Sequence, residues 1–164
     1  MKKEIYLAGG CFWGVEKFFA KIEGITATEV GYANGNPQTL KDPQNPTYEE
    51  VYTGTTGYAE TVKLTYNPAQ INLPALLQNL YKIIDPTLKD AQGGDTGSQY
   101  RTGIYFTDPS EAAIITESLQ ELQKQYHPKP IVTENLPLKN YHKAEEYHQK
   151  YLEKNLDGYC HIKF

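Results

Sequence analysis

The sequence is short of the residue types that would commit it to several common roles. Arginine occurs once, at Arg101, and the net charge is −4 with no block of lysines. The cationic footprint that binds nucleic acid is therefore missing. No apolar run approaches the roughly 20 residues that a membrane-spanning helix needs. The start, Met1-Lys2-Lys3-Glu4-Ile5, has no hydrophobic secretory region, so a membrane partner is not expected and the cytoplasm is the expected location. Only two cysteines occur, Cys11 and Cys160, too few for a disulfide scaffold. No Cys-x-x-Cys or His-x-x-x-His spacing completes a metal site, so no metal is expected. Three readings of the two cysteines stay open: inert buried thiols, one catalytic thiol, or a reactive redox pair.

What is present is an ordinary globular composition, 39% hydrophobic and 22% charged, which argues against disorder. Tyrosine is abundant, with 14 residues against one Trp and one Met. The 164 residues suit a single domain, 1–164, with residues 155–164 as a tail that carries Cys160. Glu4 to Ala8 predicts a strand. Val15, Phe18, Phe19 and Ile22 predict a helix after it, stopped by Gly24. Ile25 to Val30 predicts a strand, and Gly31 to Pro46 a loop. Tyr48 to Thr53 and Ala59 to Tyr66 read as two strands joined by a turn at 53–57. Asn72 is placed to cap a helix carrying Leu73, Leu76, Leu77, Leu80 and Ile84. A polar, glycine-rich loop follows from Lys89 to Gln99, then a strand from Gly103 to Thr107. Asp108 to Glu111 resembles a capping box opening a further helix. Pro130 to Glu134 reads as a strand and Asn140 to Lys154 as a last helix. Interleaved strands and helices with long connections predict an α+β or split βαβ layer rather than a doubly wound sheet.

Cys11 falls where strand gives way to helix. Unpaired N–H groups and the partial positive charge of a helix N-terminus lower a thiol pKa. Phe12 and Trp13 are adjacent and so cannot both face one core from a helix, which leaves one of them exposed or lining a cavity; an aromatic wall beside a nucleophile suits a methyl or thioether group. Glu60 shares the two-residue phase of Val62, Leu64 and Tyr66, so it is expected on an inward face. A carboxyl there is costly as an anion, and its raised pKa makes it a proton donor near neutral pH. Tyr48, Tyr100 and Asp95 are weaker signals taken singly. Tyr141, Ala144, Glu145, His148 and Tyr151 would share one side of the last helix. Cys160 is expected in a mobile tail, where a thiol can reach another cysteine.

Gly9-Gly10-Cys11-Phe12-Trp13-Gly14 resembles the peptide methionine sulfoxide reductase A family. So, in the same order, do Gly31 to Gly35, Asn45 to Tyr48, Gly57 to Glu60, Gly94 to Arg101, Ala144 to Tyr151 and Gly158 to Cys160. The resemblance implies a two-layer α/β sandwich around a split βαβ (ferredoxin-like) core with an irregular C-terminal tail. It implies Cys11 as nucleophile, Phe12 and Trp13 as the recess for the S-methyl group, and Tyr48, Glu60 and Tyr100 as the groups that hydrogen-bond and protonate the sulfoxide oxygen. It further implies Asp95 and His148 as contacts to the substrate backbone and Cys160 as resolving cysteine. The implied activity is reduction of the S epimer of methionine sulfoxide, free or in proteins, with recycling by thioredoxin and no cofactor. Some members add a cysteine in a glycine-rich extension, or a domain for the R epimer. Neither is seen before Phe164, so neither a second recycling step nor R-epimer activity is expected. Two rival readings compete: a cysteine hydrolase or transferase using Cys11 and His148, which leaves Cys160 and Glu60 idle, and a non-enzymatic peptide-binding module.

Overall fold

The computed structural model describes residues 1–162; Lys163 and Phe164, the end of the expected 155–164 tail, lie outside the described residues. Strand β1 (Lys3–Gly9) leads into helix α1 (Phe12–Ala20), then β2 (Ile25–Ala33), α2 (Tyr48–Tyr52) and β3 (Ala59–Tyr66). Helix α3 (Leu73–Tyr81) follows, then a two-residue hairpin of β4 (Ala91–Gln92) and β5 (Asp95–Thr96). The chain continues through β6 (Thr102–Phe106), α4 (Glu111–Tyr126), β7 (Glu134–Pro137), β8 (Tyr141–Lys143) and α5 (Tyr151–Lys154). The main sheet has the order β7-β6-β1-β3-β2-β8. Its central four strands, β6, β1, β3 and β2, run each antiparallel to the next, with β3 lying between β1 and β2, and β7 joins the β6 edge in parallel. Since β1 and β2 both oppose β3, they run parallel, joined through α1 with β3 inserted between them. This is the split βαβ arrangement of an α+β fold, and α3 completes it by leading to β6.

Alternation along the strands sets the two faces. Ile5, Leu7, Val62, Leu64 and Ile104 join Val15, Phe19, Leu76, Leu77 and Leu80 from the helices in the main core. Tyr6, Ala8, Ala33, Ala59 and Tyr105 form a smaller cluster with the opposite parity. Each fully buried Leu or Phe here contributes about 1.5–3 kcal/mol through removal of apolar surface from water. Glu60 has the parity of Val62 and Leu64, so it joins their side of the sheet, and its nearest cross-strand partner is Tyr32.

Several local expectations fail. Tyr48–Tyr52 is a helix, not a strand. Thr47 accepts from Glu50 N–H and Glu50 reaches back to Thr47 N–H, a complete capping box that decides the segment locally. No last helix runs from Asn140 to Lys154. Tyr141–Lys143 pairs instead with Gly31–Ala33 on the edge of β2, Glu146–His148 makes one 3₁₀ turn, and Lys150 adopts a left-handed backbone (φ 54°) before α5. The free edge of β2 thus overrides helical periodicity. Strand β7 begins at Glu134, where the expectation had its strand end. Helix α4 opens at Glu111, but Ser110 gives no side-chain cap; Asp108 accepts from Ser110 N–H instead. The tail is docked rather than loose. Ile162 is buried in the core, and a Cβ at Gly14 would come 2.6 Å from the Cys160 sulfur, which therefore lies against the first turn of α1.

Candidate active site

The reactive end of the fold begins where β1 stops. Gly10 has φ +88°, and a Cβ there would meet Gln92 at 2.7 Å, so both backbone and space require glycine. Gln92 is buried and its amide clamps both backbone groups of Asp85, at 2.8 and 2.7 Å. That fixes the hairpin which presents Asp95. Cys11 then occupies the N-cap position of α1, buried, with a free thiol.

The N–H of Phe12, the first residue of α1, donates to Glu60 Oε1 at 3.1 Å. Glu60 is 1% exposed. Burial pushes its carboxyl up to about 8, with nearby Asp95 adding to the rise and the Phe12 N–H opposing it. The expected depression of the Cys11 thiol does not occur. Burial, followed by the proximity of Glu60, pushes this thiol up and outweighs the Trp13 N–H that favours the thiolate. The helix-terminus expectation treated the N–H groups as free, whereas one of them is already given to Glu60.

Tyr48 opens α2, and Tyr100 closes a 3₁₀ turn (Ser98–Tyr100). Arg101 holds that turn: its guanidinium donates to Ser98 O at 2.9 Å and to Glu134 at 2.7 Å. Burial first and Glu60 second raise the pKa of both tyrosine hydroxyls, and Cys11 contributes to each. Both hydroxyls therefore stay protonated as donors beside Cys11 and Glu60.

Phe12 is buried, and Trp13 is half-buried. The indole stacks on Tyr151 with centroids 3.8 Å apart and planes at 10°, and its Nε1–H donates to His148 Nδ1 at 3.0 Å. His148 is 1% exposed and packs against Phe12 and Tyr48. Burial lowers its pKa, so the ring is neutral; with Nδ1 accepting, the proton sits on Nε2. That Nε2 is buried and has no protein partner, and neither has Asp95 Oδ2. Asp95 is pushed up by burial, with His161 and the Tyr159 hydroxyl opposing. Both atoms are thus free of protein partners and able to meet polar groups of a ligand.

Glu145 is the residue that sequence reasoning passed over. Its carboxylate accepts from the Tyr32 hydroxyl at 2.6 Å and from Tyr48 N–H at 2.8 Å, tying α2 to β2. Burial opposes ionisation here, but the two donors outweigh it and hold the carboxyl below its ordinary value. Glu145 was read only as one member of a helical face.

A buried thiol beside a high-pKa carboxyl and two tyrosines, with a second thiol from the tail against the first turn of α1, is an arrangement that suits thiol redox chemistry. Comparison with known proteins agrees. Residues 3–164 match the family described as Peptide methionine sulfoxide reductase. A peptide methionine sulfoxide reductase MsrA from Clostridium perfringens is 56% identical over 161 residues, 98% of each chain. The crystal structure of Mxr1 from Saccharomyces cerevisiae in reduced form superposes with a TM-score of 0.93 at 39% identity, over 98% of this chain and 89% of that one. Mxr1 in complex with Trx2 matches with a TM-score of 0.64 at 26% identity, over 99% and 88%. The chain belongs to the peptide methionine sulfoxide reductase family and is an enzyme of methionine sulfoxide reduction.

Proposed function

We propose that this enzyme reduces the S epimer of methionine sulfoxide, free or within oxidised proteins, by direct attack of the Cys11 sulfur on the sulfoxide sulfur. The S-methyl group enters the recess of Phe12 and Trp13. His148 Nε2–H and the Asp95 carboxyl meet the substrate's backbone groups. Tyr48 and Tyr100 donate to the sulfoxide oxygen as it gains negative charge, and Glu60 protonates it. The oxygen passes from the substrate sulfur to the Cys11 sulfur as the S–O bond and the transient bond between the two sulfurs break; methionine leaves reduced and Cys11 is oxidised to the sulfenic acid. The proton that Glu60 gives is balanced by the one the Cys11 thiol loses. Cys160 then attacks the sulfenic sulfur; a disulfide forms and water leaves. A dithiol protein returns both thiols and is itself oxidised to its disulfide. We assign that role to a thioredoxin, in keeping with the yeast relative solved with Trx2 and with the cytoplasmic location we infer. The reaction needs no metal or organic cofactor.

The observation that carries this reading is Glu60, fully buried, pushed up to about 8 and joined to the residue after Cys11. Only a protonated acid in that place supplies what a sulfoxide needs and a simple thiol hydrolase does not. The cysteine variants test it. Cys11→Ser should show no sulfoxide reduction, because the hydroxyl is too basic to attack. Cys160→Ser should complete about one turnover per enzyme with thioredoxin as sole reductant and then stall with Cys11 as sulfenic acid. Normal cycling of Cys160→Ser on thioredoxin removes Cys160 from the mechanism, and turnover by Cys11→Ser removes the whole scheme.

A further inference from the structure

The tail brings a titratable ring to the reacting end that the proposed reaction leaves idle. His161 follows Cys160, and both of its ring nitrogens are buried without a hydrogen-bond partner. Two glycines in left-handed backbone make its seat. A Cβ on Gly10 (φ +88°) would come 3.1 Å from the His161 Cε1, and one on Gly93 (φ +57°) 2.6 Å from the His161 Cβ. The ring therefore lies over the residue before Cys11, while the Cys160 sulfur lies against Gly14, three residues after Cys11. The tail thus flanks Cys11 with an imidazole towards one side and a thiol towards the other. Cys160 is near enough to Cys11 to act on its ionisation. Asp95 of β5 and the Gly9 carbonyl at the end of β1 favour the charged ring, but burial outweighs both and holds it below the ordinary histidine value. From β4 the ring meets the uncharged Gln92, and the Tyr159 hydroxyl beside it is given to Asp95. A neutral imidazole with no nitrogen spent on a hydrogen bond is able to take a proton.

We propose that His161 is the base of the resolving step: its imidazole takes the proton of the Cys160 thiol as that sulfur attacks the Cys11 sulfenic acid, and hands it to the departing oxygen. This rests on the reading that Cys160 resolves Cys11. The bond that forms is the disulfide, and the bond that breaks is the S–O bond of the sulfenic acid. The oxygen leaves with its own hydrogen and the proton that the thiol lost, as one water, and the imidazole ends neutral as it began. Both halves of the step call for such a group. The thiolate rather than the thiol is the nucleophile, and hydroxide leaves poorly unless it is protonated. A single ring beside the attacking and the attacked sulfur serves both needs, with no proton drawn from solvent.

The test is a single turnover of the full chain with no reductant present. Reduced enzyme is mixed with saturating methionine-(S)-sulfoxide and quenched in acid, and methionine formed and free thiols left are counted separately. In the parent the disulfide should follow methionine without delay near pH 7. It should lag only on the acid side of the ordinary histidine range, about 6.5, where the ring is charged. In His161→Gln the disulfide should lag behind methionine about tenfold or more at pH 7, and the lag should shrink as rising pH supplies the Cys160 thiolate without a base. Prompt closure in the variant overturns the assignment. So does a lag of equal size at every pH, which a merely displaced tail would give. A parent that forms methionine and keeps its Cys160 thiol overturns the resolving reading, and the part of His161 with it.

Discussion

Two carboxyl groups flank the recess and are held in opposite states. Glu60 is fully buried, receives one backbone N–H and is pushed up to about 8. Glu145 is half-buried, receives a tyrosine hydroxyl and a backbone N–H, and is held below its ordinary value. Neither has a lysine or arginine salt-bridge partner among the described residues. Burial and the number of donors make most of the difference, with Asp95 adding to the rise at Glu60 and His148 to the fall at Glu145. A fold can thus set one acid to give a proton and another to hold framework by rationing N–H and O–H groups.

The sharpest way to break the contrast is Glu60→Gln. The amide still donates a hydrogen bond but delivers no proton, so single-turnover methionine formation should slow by about 10²–10⁴-fold. In the parent the rate should fall as pH rises through about 8, because only the protonated Glu60 donates, and that limb should vanish in the variant. A rate within a few-fold of the parent would make Glu60 a structural acid. Glu145→Ala tests the other partner. It strands Tyr48 N–H and the Tyr32 hydroxyl, and should cost about 1–3 kcal/mol in denaturant unfolding. Glu145→Gln keeps an acceptor for Tyr48 and should cost less than half as much. Tyr48→Phe and Tyr100→Phe should each slow reduction about tenfold, with little change in unfolding midpoint, since each removes one donor from the developing oxyanion.

The remaining contrast is read in stability against pH rather than in rate. The folded pKa of Glu60 is raised, so its burial costs nothing below the unfolded pKa of about 4.3 and progressively more up to about 8. The Tm of Glu60→Gln relative to the parent should therefore climb across that interval and then level off. A pH-independent difference would mean that Glu60 is not buried as a neutral acid.

Legibility followed the range of the forces involved. Glu60 was readable because a two-residue phase needs only four neighbouring residues to declare a face. The β1–α1 junction at Cys11 and the Asn72 cap were readable for the same local reason, and Asn72 does accept from Ala75 N–H. Helix α2 was equally local, but Val51 and three β-favouring neighbours masked the Thr47–Glu50 signal. The segment after Asn140 was not legible. Its strand exists only because the edge of β2, more than 100 residues earlier, offers free backbone groups. The direction of the Cys11 shift was lost similarly, since Glu60 is 49 positions away in sequence and adjacent in space. Glu145 gave no signal of its own, because its two donors come from β2 and α2.

The only tryptophan in the chain, Trp13, is stacked on Tyr151 and bonded to His148 within the recess. Every photon emitted by indole in this protein therefore originates at the reacting end of the molecule. On the proposed mechanism substrate entry would change the polarity around that ring, and the approach of Cys160 to Cys11 would change its neighbours. Steady-state and stopped-flow emission, excited at 295 nm and so selective for indole over the tyrosines, follow both events in the unlabelled enzyme. Occupancy of the recess and traffic of the tail become separable in time on a single intrinsic dye.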